Sequence, residues 1–157
     1  YILYNMLESW TIPTWIFFHT LAEKINENFL KNNAANVLQI IKSICHNLPC
    51  PTCRHHATLY MSRININHID SREKIKNMFF NFHNSVNQRL GKKQYNIEGL
   101  NRYKYGRFDI IYVHFITNFS KKYRSVLLGG QLSQNSQRQS LKINLNSWFK
   151  RNWNNFQ

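Results

Sequence analysis

The chain has 157 residues, 43% hydrophobic and 15% aromatic, and sets 21 Lys and Arg against 7 Asp and Glu, a formal net charge of +14. That length suits one domain able to bury a core of its own. Seven carboxylates and five glycines argue against carboxylate-based hydrolysis and against a glycine-rich dinucleotide loop.

Pro13 occupies a position that suits the first turn of a helix, and Trp15, Phe18, His19, Ala22, Ile25 and Phe29 follow at helical spacing. A second apolar stripe runs through Val37, Leu38, Ile40, Ile41, Ile44, Cys45 and Leu48, and Pro49 ends that helix. Cys50 then stands at the start of a third helix reaching about Met61. Asp70 or Ser71 caps a fourth, whose stripe is Ile75, Met78, Phe79, Phe82, Val86 and Leu90, with Gly91 as its stop. Four helices with short connectors argue for a bundle. Residues 108–125 read as a further helix. Gly129, Gly130 and the Gln/Ser/Asn-rich stretch to about Ser140 read as a linker. Leu141, Leu145, Trp148 and Phe149, with Lys142, Lys150 and Arg151, read as a short basic amphipathic helix. The longest apolar run, Phe108 to Phe119, is interrupted by Asp109, His114 and Asn118 and falls short of a membrane span. No basic-then-apolar leader opens the chain, and the absence of Met at position 1 raises the expectation of an upstream segment.

Three cysteines make no disulfide framework. Cys50 and Cys53 form a C-x-x-C pair and Cys45 is left over, the pattern of an intracellular protein with one reactive dithiol. Taken alone, the pair is a redox dithiol or half of a zinc site. At a helix start the thiolate, the reactive form, is stabilised, and Arg54, His55 and His56 add positive or titratable groups. A Cys₃His zinc site from Cys45, Cys50, Cys53 and His55 or His56 is the competing reading, weakened because Cys45 falls on an apolar stripe. Trp15 and His19 share a helix face, either as core residues or as walls of a pocket. His83, Asn84 and Asn87 place polar groups beside an apolar face, either to cap nearby backbone or to hold a polar ligand.

Three segments in this order are more specific than any one of them: Trp10-x4-Trp15-x3-His19, then Leu48-Pro49-Cys50-x-x-Cys53-x-His55-His56, then Phe82-His83-Asn84-x-x-Asn87-x-x-Leu90-Gly91-Lys92. Together they resemble the Erv/ALR family of FAD-linked sulfhydryl oxidases, most closely the small versions of large DNA viruses, over roughly residues 10–105. The resemblance implies an all-α four-helix bundle holding FAD over residues 8–105, with a helical C-terminal extension over 106–157. It implies that Cys50 exchanges with the partner and that Cys53 is the flavin-proximal sulfur. Trp15, His19, His83, Asn84, Val86, Asn87, Leu90 and Lys92 would join Cys53 around the cofactor, Lys92 on its phosphate or ribose side, with Tyr103 or Tyr105 as an aromatic neighbour. The family often carries Gly after the first Trp, where this chain has Thr11.

The implied activity is FAD-dependent oxidation of dithiols to disulfides, with dioxygen reduced to hydrogen peroxide. The implied partners are a dithiol protein substrate or a thioredoxin-like relay, since the family's second shuttle C-x-x-C and its structural disulfide are absent from this chain. A homodimer and a location in host cytoplasm or virion are further expectations. The competing reading is a basic zinc-binding module contacting nucleic acid. Trp148, Phe149 and Trp153 with Lys150 and Arg151 leave the C-terminal segment three roles: docking on the bundle, binding nucleic acid or touching a membrane surface.

Overall fold

The computed structural model describes residues 2–123 and 131–157. They form six α-helices: α1 (Ile2–Lys24), α2 (Glu27–His46), α3 (Pro51–Ser62), α4 (Arg72–Arg89), α5 (Phe108–Phe119) and α6 (Gln131–Asn152). A 3₁₀ segment, Ile97–Tyr105, links α4 to α5, and the described residues contain no β-strand beyond an isolated bridge between Ile25 and Phe156. The expected all-α architecture is observed. No helix among the described residues is long and apolar enough to cross a membrane.

Local chemistry sets the boundaries. Pro13 does not open α1; it lies inside a helix that begins eleven residues earlier, at Ile2. A proline there removes one intrahelical donor, and the Thr14 hydroxyl bonds the Trp10 carbonyl at 2.7 Å in the same turn. The first stripe does not continue to Phe29 in one helix. The chain breaks after Lys24, and Asn26 caps α2 by accepting the Phe29 N–H at 2.9 Å. α2 begins ten residues before the first residue of the predicted stripe and bends at Asn33, whose backbone is non-helical and whose side-chain amide donates to the Phe29 carbonyl. Cys50 caps α3 with Pro51 at its first position, and Ser71, one of the two predicted caps, accepts the Lys74 N–H to start α4. Gly91 follows α4 with φ of +65°, a conformation that favours glycine.

Residues 131–140 are helical rather than a linker. Low intrinsic propensity is overridden by anchoring: the Asn135 amide exchanges hydrogen bonds with the Tyr123 backbone, and Gln139 Nε2 donates to the Ser120 carbonyl at 2.6 Å. Gly129 and Gly130 lie outside the described residues. The predicted helix over 108–125 ends at Phe119, capped at Ser120.

α1 packs against α5 and α4, and α2 against α3. One core joins them. Phe17 stacks on Phe115 at 4.2 Å, Phe18 on Phe79 at 4.7 Å and Phe108 on Phe156 at 5.0 Å, and Phe149 packs edge-on to Phe17. Leu145, Phe149 and Phe156 are buried in this same cluster, so the C-terminal segment docks on the bundle. Each such ring contributes roughly 1.5–3 kcal/mol of transfer free energy.

Candidate functional site

The dithiol sits at the turn between α2 and α3. Pro49 and Pro51 bracket Cys50, which leaves it extended (φ −84°, ψ 121°) and able to cap α3. Its Sγ accepts the Cys53 N–H at 3.2 Å. Both thiols are free and half-buried. Hydrogen bonding from the Cys53 side chain holds the Cys50 thiol down to about 6; backbone N–H groups of Cys53 and Thr52 and the charge of Arg89 add to this against desolvation. The same contact with Cys50, together with burial, pushes the Cys53 thiol up. The pair therefore releases its first proton from Cys50. Arg54 Nη1 donates to the Leu48 carbonyl at 3.0 Å and ties the start of α3 to the preceding turn.

A second cluster lies beside α1 and α4. Trp15 and His83 are stacked with centroids 4.0 Å apart and planes 3° apart. His19, one turn beyond Trp15, stacks with it at 6.0 Å and meets His83 through an Nε2···Nδ1 hydrogen bond of 3.0 Å. Burial is the main reason both imidazoles are held neutral, His19 at about 3 and His83 at about 4. His83 and Arg102 lower His19 further, and Arg102 and Lys92 lower His83. One ring donates in the shared bond and the other accepts. The second nitrogen of each has no partner among the described residues.

Tyr103 closes the cluster on the His19 side at 4.9 Å, and Tyr95 lies 5.3 Å from His83. The Arg102 guanidinium sits 5.2 Å from the Tyr95 ring and 5.1 Å from the Tyr103 ring and donates to the Tyr103 hydroxyl. The two sites connect through aromatic packing: Tyr60 of α3 stacks on Phe82 of α4 at 4.6 Å, and Phe82 meets Trp15 at 5.1 Å.

The residues singled out from the sequence divide into groups. Trp15, His19, His83 and Tyr103 meet directly. Asn84 holds backbone: its amide donates to the Tyr95 carbonyl and accepts the Tyr95 N–H at 2.7 Å, folding the loop after α4 so that Tyr95 reaches His83. Asn87 is buried and its carbonyl accepts the Lys92 N–H at 2.8 Å. Val86 packs half-buried against the core, whereas Leu90 is 51% exposed. Lys92 is exposed, with its charge felt at His83. Tyr105 is 87% exposed and makes no ring contact in the cluster. Tyr95, Arg102, Phe82 and Arg89 were not expected as site residues. Asn84 was the available signal for Tyr95, since a helix-end amide beside a loop commonly binds that loop's backbone. Arg102, exposed in a 3₁₀ segment, gave none.

Cys45 is fully buried in α2, where burial pushes its thiol up. Among the described residues no three His, Cys, Asp or Glu side chains are placed to hold a metal ion, so the zinc reading has no support. An open groove of about 520 Å³, lined by Arg72, Glu73, Asn77 and Ile97 among others, shares Lys76 and Leu100 with the crevice beside His19 and Tyr103.

No solved structure matches the chain. A FAD-linked sulfhydryl oxidase of African swine fever virus (isolate Tick/Malawi/Lil 20-1/1983) is 31% identical over 111 residues, 65% of this chain and 92% of that protein. A relative from Invertebrate iridescent virus 3, whose name also describes a FAD-linked sulfhydryl oxidase, is 35% identical over 86 residues, 54% of this chain. The mitochondrial FAD-linked sulfhydryl oxidase erv1 of Schizosaccharomyces pombe is 32% identical over 90 residues, again 54% of this chain. The chain spans 58% of the iridescent virus protein's length and 47% of the fission yeast protein's. The family model described as Erv1 / Alr matches residues 12–106, a span that contains the dithiol, the histidine pair and the loop that carries Tyr95 and Tyr103. With the first and third sequence segments meeting in the stacked cluster, the dithiol helix joined to it through Tyr60 and Phe82, and most of the chain inside that match, the chain belongs to the Erv1/Alr family.

Proposed function

We propose that the chain is a FAD-dependent thiol oxidase that forms disulfides in partner proteins. The carrying observation is the Cys50–Cys53 pair capping α3, joined through Tyr60 and Phe82 to a stacked cluster of Trp15 and two neutral histidines. FAD is the cofactor named for the relatives. The residues present fit it by their donor chemistry. Flat rings at Trp15, Tyr95 and Tyr103 suit an aromatic ring system. The unpartnered second nitrogens of His19 and His83 can donate to or accept from a polar ring edge. Lys92 and Arg102, which form no ion pair among the described residues, suit a diphosphate. Val86, Asn87 and Leu90 complete the proposed cofactor residues with Cys53, while Asn84 acts through the loop it holds. When bound, FAD supplies the electron acceptor for the dithiol and hands the pair to dioxygen, giving hydrogen peroxide.

The protein's own step is thiol–disulfide exchange. In the oxidised pair, a partner thiolate attacks Cys50 Sγ; the new S–S bond forms as the Cys50–Cys53 bond breaks, and Cys53 leaves with the electron pair. The partner's second thiolate then displaces Cys50, so the partner leaves as a disulfide and Cys50 and Cys53 hold its two electrons as a reduced pair. The low thiol value at Cys50 makes it the better leaving group in that second displacement. Residues 8–105 would carry this chemistry and 106–157 would serve as a docked extension. The substrate is a dithiol protein, reached directly or through a thioredoxin-like relay; a homodimer and a place in host cytoplasm or virion rest on the family resemblance and the viral relatives.

Oxygen uptake with dithiothreitol tests the reading. Cys50→Ser and Cys53→Ser should each abolish uptake by flavin-loaded protein, while Cys45→Ser keeps most of it. Full activity in Cys53→Ser would overturn the mechanism.

A further inference from the structure

The carboxylates are distributed unevenly. All seven are Glu8, Glu23, Glu27, Asp70, Glu73, Glu98 and Asp109, so residues 28–69 and 74–97 contain none. Those two stretches hold nearly all of α2, all of α3 and most of α4, including the dithiol and Arg89, whose charge reaches both of its thiols. Six of the seven are engaged elsewhere. Asp70 pairs with Lys74 at 2.6 Å, Glu23 with Lys76 at 2.5 Å and Asp109 with Arg107 at 2.6 Å; Glu27 accepts the Arg72 N–H, and Glu73 and Glu98 line the open groove.

At the dithiol the balance is reversed. Arg54 is fixed to the Leu48 carbonyl, His55 and Arg89 are exposed, and His56 lies beside His55 with rings 5.6 Å apart. Cys53 and His56 lie three residues apart on α3 behind its cap Cys50, and the charge of Arg89, at the end of α4, reaches all three. Neither Arg54 nor Arg89 has an ion-pair partner among the described residues. Two large apolar side chains are exposed on the same segments, Leu59 of α3 at 48% and Leu90, which follows Arg89, at 51%. Cations without ion-pair partners beside a half-buried reactive pair, on segments that also expose leucines, describe a protein-docking surface with a sign.

We propose that this mouth selects a dithiol protein whose oxidisable cysteines are flanked by Asp and Glu, with Arg54 and Arg89 as specificity-determining residues. This rests on the thiol-oxidase reading and adds the chemistry of the substrate. An acidic partner removes like-charge repulsion, steers encounter and leaves the apolar contacts to hold the complex. A nucleic acid would meet the same cations but would gain nothing from the dithiol.

Three synthetic C-x-x-C peptides, flanked by Glu, by Lys or by Ser, decide the matter, with dithiothreitol as the uncharged substrate. The ratio of kcat/KM for the Glu peptide over the Lys peptide should be about tenfold or more at low salt and should fall toward one near 1 M salt, where screening reaches about 3 Å. Arg89→Glu should reduce or invert the ratio. Versions of the peptides with Ser for Cys, followed by fluorescence anisotropy, should bind with the same order of preference without any turnover. A ratio near one at low salt with dithiothreitol still oxidised overturns the proposal, as does an unchanged ratio in Arg89→Glu. A single-stranded oligonucleotide that binds tightly while the peptides do not discriminate also overturns it. Failure to oxidise dithiothreitol would instead count against the thiol-oxidase reading, and the anisotropy order would still decide the docking surface.

Discussion

Acidification should weaken the fold through the histidine pair. His19 is held neutral at about 3 and His83 at about 4, against an ordinary value of 6.5, and burial is the main cause for both. Their folded values are depressed, so the unfolded chain binds more protons as the pH falls below about 6.5, and stability present above that value is progressively lost down to about pH 3. Between about pH 7.5 and pH 5 the linkage amounts to roughly 2 kcal/mol for each ring. His83 is partly open to solvent, which screens its share, so a total of about 2–4 kcal/mol is expected for the pair. Urea unfolding of flavin-free protein at the two pH values reads this directly as a shift in midpoint at constant slope. A double variant, His19→Gln with His83→Gln, should lose that part of the pH dependence. Equal stability of the wild type at both pH values, or the same dependence in the double variant, would refute the buried neutral pair.

Alkylation of the reduced protein should titrate at Cys50 with a midpoint of about 6, and Cys53→Ala should move that midpoint back toward the ordinary thiol range because the largest stabilising contact is gone. Phe149→Ala, which removes a ring buried among Phe17, Tyr112 and Phe156, should cost about 3–5 kcal/mol by thermal or urea unfolding, whereas Ile143→Ala, at 69% exposure, should cost almost nothing. Trp15→Ala should lower the FAD content of purified protein by removing the ring that stacks on His83, and Tyr105→Ala, far out in solvent, should leave it unchanged.

The sequence exposed what depends on local chemistry. The helix start at Cys50 follows from Pro49 before it, the Ser71 cap and the Gly91 stop follow from residue types that satisfy helix ends, and the structure places each there. The face shared by Trp15 and His19 was readable from a four-residue spacing. What escaped depends on contacts distant in sequence. Pro13 marks a helix start only when nothing upstream continues the helix, and here α1 runs through it. Gln131 to Ser140 resembles a linker until Tyr123 and Ser120 supply partners for Asn135 and Gln139. Tyr95 enters the site because Asn84 captures its backbone from eleven residues away. Arg102 is placed by two tyrosine rings, one of them carried by the loop that Asn84 folds.

The central claim joins the dithiol to a bound flavin, and one spectrum tests it. Purified protein reconstituted with FAD should be yellow, with absorbance near about 450 nm that bleaches under anaerobic dithiothreitol and returns in air. Cys53→Ser should stay yellow and bleach far more slowly. Protein that is folded by circular dichroism yet retains no flavin, or a Cys53→Ser variant that bleaches as fast as the wild type, would contradict the account.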